Sequence, residues 1–264
     1  MLDAKKIAIV ILAHDDRPAL ENMVSNVRFF CPNATIVLYN SGDDPSLGED
    51  LDLVVIPYSR RLYYARIIYF FVDLFDWLAG ESYPYDYIVN LDSDVLFIRP
   101  GFERFISSSM EGYDYMAPRF RLFTSRQSRW RPLRSLRPEL PEWYQVFGFQ
   151  YTHEAFNPGQ TFSREYIQRL LGHEKYPCIL ELIQKNLSFT LHEVLFPTLV
   201  DLLQVKARSY PTELDTTIRY RPYQAVRSVQ RALQMRDAYF VHPVRRELDN
   251  PTRVFIQSLI KSDR

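Results

Sequence analysis

Apolar residues along this chain fall into two alternating patterns. Short unbroken runs are separated by longer stretches in which apolar positions recur every three or four residues. Residues 6–13 form the first run, apolar from Ile7 onward, which predicts a parallel strand buried on both faces. It leaves the sheet at His14-Asp15-Asp16. Pro18 suits the first turn of a helix, and Leu20, Val24, Val27 and Phe30 keep helical spacing until Cys31-Pro32 stops it. Residues 35–39 and 53–57 read as the second and third strands, with a turn-rich loop over 40–45. A long helix is expected over 62–78, ended by Gly80, and a fourth strand over 87–91. Strands alternating with helices at these intervals mean βαβ units and a parallel sheet. Ligands of such sheets bind at the carboxyl ends of the strands, where His14, Asn40, residues 59–61 and residues 92–94 all fall.

The pattern is less regular afterwards. A short helix is expected over 101–106, a strand over 113–117, a strand and a turn before a helix at 164–171, and a further helix over 188–204. A late strand at 205–210 and a loose helical pattern over 223–235 complete the reading. Between them, residues 118–141 carry Arg119, Arg121, Arg126, Arg129, Arg131, Arg134 and Arg137 among aromatics and prolines. That composition predicts a loop or lid. Arginines interleaved with aromatics also occur in nucleic-acid sites, but a charge stripe is more often a solvated face. An anionic acceptor, a phospholipid surface or a diphosphate is the partner expected here, not a nucleic acid.

Charge sharpens this picture. The formal net charge is zero over 264 residues, yet residues 1–100 carry 8 Lys/Arg against 15 Asp/Glu, and residues 101–264 carry 24 against 17. A basic second half facing an acidic first half suits an anionic ligand between them. With 8 glycines and no Gly-x-Gly-x-x-Gly or Walker pattern, the chain has no glycine-rich phosphate loop. Two cysteines make no disulfide framework and no metal-ligand spacing. No signal-peptide pattern and no run of 18 apolar residues is seen. A cytoplasmic protein is the expectation, peripheral to a membrane at most through the Arg-rich stretch.

The chemistry concentrates at residues 87–100, Tyr-Ile-Val-Asn-Leu-Asp-Ser-Asp-Val-Leu-Phe-Ile-Arg-Pro. An apolar strand normally excludes charge, but this one holds Asp92 and Asp94, which point to one side of an extended chain. There they can share a divalent cation, and oxygen ligands suit Mg2+ or Mn2+. The segment resembles the Asp-X-Asp signature of GT-A-fold glycosyltransferases, whose metal grips the diphosphate of a nucleotide-sugar. The opening Ile-Val-Ile-Leu-Ala-His is similar to the core-2/I-branching N-acetylglucosaminyltransferase group. Tyr64-Ala65-Arg66-Ile67 before the Asp-Ser-Asp strand is instead similar to glycogenin-like families.

The resemblance implies a single GT-A domain over 1–264. Its nucleotide-sugar half would be 1–100 and its acceptor half 101–264, which includes the C-terminal segment 219–264. The donor, a UDP-sugar by preference, would be bound through His14, Asn40, Arg66, Asp92, the Gly159-Gln160 turn and Arg245. The metal, Mn2+ or Mg2+, would be held by Asp92, Asp94 and His242. His242 also reads as a structural histidine ending an apolar run. Glu193 has two compatible readings. It completes a capping box with Thr190 as N-cap, and in inverting GT-A enzymes a carboxylate at such a helix start is the general base. The acceptor would be a glycan, a lipid-linked sugar or a protein. Three other readings stay open: a retaining transferase, a sugar-nucleotide nucleotidyltransferase, and an inactive carbohydrate- or lipid-binding scaffold. Nucleotidyltransferases normally carry a glycine-rich loop where this chain has His-Asp-Asp-Arg-Pro.

Overall fold

A computed structural model describes residues 5–123 and 130–262. The strands are β1 (Ile7–Ala13), β2 (Thr35–Asn40), β3 (Val54–Val55), β4 (Tyr87–Asp92), β5 (Leu96–Phe97), β6 (Tyr115–Ala117), β7 (Arg121–Phe123), β8 (Thr152–Glu154), β9 (Thr161–Ser163), β10 (Ala207–Ser209) and β11 (Phe240–Val241). The helices are α1 (Arg17–Phe30), α2 (Ile68–Gly80), α3 (Phe102–Ser109), α4 (Arg131–Leu136), α5 (Leu140–Phe147), α6 (Arg164–Leu171), α7 (Tyr176–Lys185), α8 (His192–Leu202), α9 (Val226–Ala232) and α10 (Pro251–Ser262).

Seven strands form one sheet in the order β10-β6-β9-β4-β1-β2-β3. Its pairs are parallel except those of β9, which runs antiparallel to both β4 and β6. The unbroken apolar run of β1 is explained by burial on two sides. Ala8, Val10 and Leu12 face a core with α2 and α8, while Ile7, Ile9, Ile11 and Ala13 face a second core with α1 and α3. Successive side chains alternate between the two layers, as the period of a strand demands.

Two expected elements need correction in detail, and a third, the helix predicted from residue 188, begins only at His192. The helix predicted from residue 62 begins at Ile68. Residues 62–67 form a tight loop in which Ala65 has φ +61° and its carbonyl accepts from Thr190 N at 2.8 Å. The loop is pinned to a distant segment, so its apolar side chains line a cavity and not a helix face. The stretch 118–141 is also not one loop. It holds β7, α4 and the start of α5, because Pro132 and Pro141 stand in the first turns of their helices, where a missing N–H is harmless. Arg126 and Arg129 lie outside the described residues.

A small antiparallel pair, β5 with β11, ties the two ends of the chain's chemistry together. It joins residues just after Asp94 to the C-terminal part of the chain, with Leu96 opposite Val241 and Val244 N donating to Asp94 O at 2.8 Å. Asn26 of α1 secures the same strand from below, its carboxamide bonded to both Phe97 N and Phe97 O. Among the described residues, no helix is long and apolar enough to cross a membrane.

Candidate functional site

At the carboxyl ends of β1 and β4 the chain encloses a cavity of about 490 Å3. Its floor holds Asp92, Asp94, His242 and Glu193, and its walls include Tyr64 and Phe189. Asp92 is the last residue of β4, and Asp94 lies in the turn before β5. The pairing of β11 with β5 brings His242 across from them. One ligand atom from each of the three residues lies within 4.8 Å of the others. His242 Nε2 is 3.2 Å from Asp94 Oδ1 and 4.0 Å from Asp92 Oδ2.

Three features make this cluster fit a divalent cation. Its donors are two carboxylates and an imidazole, a set suited to Mg2+ or Mn2+. Asp94 is 8% exposed and His242 5%, a setting in which charge must be compensated. The ligand atoms of the three residues lie close enough together to reach a single ion. The two carboxyls divide their titration unequally. Burial, reinforced by the charge of Asp94, pushes Asp92 up to about 6. Burial acts the same way on Asp94, but His242 together with the Arg246 and Arg221 guanidiniums outweighs it and holds that carboxyl below the usual range.

Asn157, which the sequence pattern did not single out, ties this cluster to Glu193. Its Nδ2 donates to Asp92 Oδ1 at 3.1 Å, and its backbone N donates to Glu193 Oε1 at 3.0 Å. Asn90 Nδ2 donates to its Oδ1 at 2.5 Å. The signal was present: an Asn-Pro-Gly turn leading into an antiparallel strand beside the Asp-X-Asp strand. Glu193 itself is 6% exposed, and burial pushes its carboxyl up to about 8. The expected capping box does not form. Leu191 occupies the N-cap position, and the Thr190 hydroxyl donates to Glu193 Oε2 at 3.0 Å rather than to the helix backbone. Thr190 is held at φ +50°, a strained conformation for a β-branched residue. Beside it, His192 stacks on Phe71 with ring centroids 5.6 Å apart, and burial holds it neutral, down to about 3.

Some of the remaining residues expected from the sequence line the cavity, some support it from behind, and Arg245 does neither. His14 lines the cavity, with Nδ1 against the Ser41 hydroxyl. Partial burial, with Arg246 nearby, lowers its pKa. Gly42 makes this approach of the two strand ends feasible, because a Cβ there would lie 2.0 Å from His14 O. Asn40 folds onto its own loop, donating to Asp44 O at 2.7 Å and accepting from Gly42 N at 3.0 Å. Gln160 is fully buried under β4, accepting from the Tyr115 hydroxyl at 2.7 Å. Gly159 N donates to Asn90 O at 2.8 Å, which makes the turn a support behind the cluster. Arg66 is exposed in the loop before α2, whose Tyr64, Ala65 and Ile67 form the cavity wall. Arg245 points away, stacked on Tyr223 at 4.5 Å. Its neighbour Arg246 takes the place expected of it, with Nη2 3.8 Å from Asp94 Oδ2 and Nε donating to Ser93 Oγ at 3.1 Å. Arg119, Arg131 and Arg221 add positive charge around the same cavity.

No family model matches the chain, and no curated protein matches it in sequence. Solved structures do match its shape. One is an active-site mutant of LgtC in which glutamate replaces a glutamine, with a TM-score of 0.54 and 12% identity over 97% of this chain and 95% of that one. Another is the galactosyltransferase LgtC in complex with donor and acceptor sugar analogs, with a TM-score of 0.51 and 13% identity over the same shares. At these identities the likeness is one of fold, and the protein has the mixed α/β GT-A fold of those structures.

Proposed function

We propose that the protein is a glycosyltransferase that moves a sugar from a nucleotide-diphosphate sugar, UDP-sugar favoured, to a hydroxyl of a glycan, lipid-linked or protein acceptor. One observation carries this reading. The Asp92–Asp94–His242 cluster, two carboxylates and an imidazole with ligand atoms within 4.8 Å of one another, sits on the floor of a cavity at the carboxyl edge of a GT-A sheet. Asp92, Asp94 and His242 would hold Mn2+ or Mg2+, which when bound would supply Lewis-acid stabilisation of a leaving diphosphate.

The chain's own residues meet the remaining demands of such a transfer. Arg246 places a fixed guanidinium beside the cluster, and Arg221 lines the same cavity. Preorganised positive charge of this kind stabilises a departing anion without reorganisation in the transition state. The rings of Tyr64, Trp130, Phe156 and Phe189 line the cavity and offer apolar surface to a bound ligand. Glu193 is the candidate base. A carboxyl raised to about 8 lies near neutral pH, where proton transfer is most effective. Acting on an acceptor hydroxyl opposite the leaving group, it gives inversion at the anomeric carbon.

A second reading, retention, is favoured by the engagement of Glu193. Both of its oxygens already accept hydrogen bonds, from Asn157 N and the Thr190 hydroxyl. In that case it orients the sugar and removes no proton. Product anomer analysis by NMR separates the two. Asp94→Asn removes one charge from the cluster with little change of shape. It is expected to abolish Mn2+-dependent cleavage of UDP-sugars while leaving Tm within a few degrees of wild type. A variant that retained full activity would sink the metal-site reading.

A further inference from the structure

A second cleft, of about 720 Å3, opens beside the first. Helix α4 contributes to both: Arg131 and Pro132 border the Asp92 cavity, while Leu133 and the nearby Arg137 border the second cleft. Its chemistry is unlike that of its neighbour. The Asp92 cavity is lined with carboxylates and guanidiniums, whereas among the described lining residues of the second cleft Arg137 alone is charged. Aromatic rings take their place. Phe149 and Tyr151, both in the cleft wall, stack with centroids 4.5 Å apart at 19°, and Phe147, buried behind the wall, backs Phe149 at 5.5 Å and 17°. Tyr151 also meets His153 edge-on at 6.0 Å, and Asp201 fixes that imidazole at 2.8 Å. The row is therefore organised before any ligand arrives, which limits the entropy lost on binding. The exposed carboxamides of Gln145 and Gln150 line the same cleft.

Rings with carboxamides beside them suit one class of ligand. The C–H faces of a sugar pack on aromatic rings, and its hydroxyls, each a donor and an acceptor, pair with amides that also offer both. A polyphosphate or acidic peptide would need more positive charge than the one guanidinium among the described lining residues supplies. We propose that this cleft is a glycan-binding subsite for an extended, uncharged oligosaccharide. Its reducing or non-reducing end reaches past α4 into the Asp92 cavity as the acceptor. The assignment of that end as acceptor rests on the proposed transferase activity; binding in the cleft does not.

The test is an array of neutral and acidic oligosaccharides of graded length, probed with the intact protein in EDTA and without donor. Neutral oligosaccharides should be retained more strongly as they lengthen. The surface double variant Gln145→Ala, Gln150→Ala should bind about tenfold more weakly, with its donor cleavage unchanged. Tyr151→Ala should lose binding, and Asp94→Asn should keep it. The proposal is overturned by any of three results: no glycan is retained, acidic glycans are preferred, or the glutamine variant binds as wild type. Glycan binding in a protein that cleaves no nucleotide-sugar would overturn the transferase reading alone. Cleavage without glycan binding would overturn the subsite alone.

Discussion

The Asp92–Asp94 cluster meets its surroundings through single side chains, and two of them make sharp predictions. Arg245 and Arg246 are adjacent, yet only Arg246 faces Asp94. Arg246→Ala should weaken UDP binding in the presence of Mn2+ by about tenfold or more, as expected for loss of a charge-assisted contact. Arg245→Ala should change it by no more than about twofold, because an exposed ion pair contributes little. Titration calorimetry on the two variants checks this. The sequence reading selects Arg245 from the adjacent pair, and the structure puts Arg246 beside Asp94 instead, since the choice depends on how the backbone turns after His242. Asn157 was missed for a related reason: its importance lies in two long-range bonds, to Asp92 and Glu193. Glu193 carries its own pH signature. Its folded pKa of about 8 lies above the ordinary carboxylate value of 4.5, so its contribution to stability is fully present below about 4.5 and is lost as pH rises toward 8. In EDTA, Glu193→Gln should therefore gain Tm relative to wild type progressively from pH 5 to pH 8. A difference that stayed constant across that range would mean the carboxyl is not perturbed by burial.

Elements differed in how readily their sequences declared them. The long apolar run of β1, the helical spacing of α1 and the apolar strand β4 each report burial on particular faces, and the structure has them where the pattern predicts. Helix α6 starts where its pattern predicts, with Ser163 as its N-cap, the hydroxyl oxygen accepting from Tyr166 N at 3.0 Å. Elements shaped by distant partners were not legible. The loop before α2 has helical composition but is held by Thr190, and α4 begins among prolines and arginines that read as a loop. The turn before β9 is a sensitive point. Gly159 has φ +97°, and a Cβ there would come within 3.1 Å of Phe240 Cζ. Gly159→Ala should destabilise the protein by about 1–3 kcal/mol, read as a lower denaturation midpoint with an unchanged slope. An unaffected midpoint would show that the turn relaxes without penalty.

Across the whole molecule, the uneven charge of the sequence acquires a place. Asp92 and Asp94 come from the acidic first hundred residues, whereas Arg119, Arg131, Arg221 and Arg246 come from the basic remainder, and all six line one cavity. The β5–β11 pair closes that arrangement by bringing the C-terminal part of the chain back to the carboxyl edge of β4. A site assembled from such separated segments is most visible in sequence through its densest fragment, here Asp-Ser-Asp, whereas His14, Glu193 and His242 are singled out only by their positions at the ends of predicted elements. The central claim is that this cavity binds a nucleotide-sugar through a metal held by Asp92, Asp94 and His242. Its most direct test is release of the nucleotide from a panel of UDP- and GDP-sugars by the purified protein, with Mn2+ or EDTA, beside Asp94→Asn. The account predicts release from at least one donor with Mn2+, none in EDTA, and none from the variant under either condition. Release that persisted in EDTA or in Asp94→Asn, or wild-type protein inert toward every donor with Mn2+ present, would contradict it.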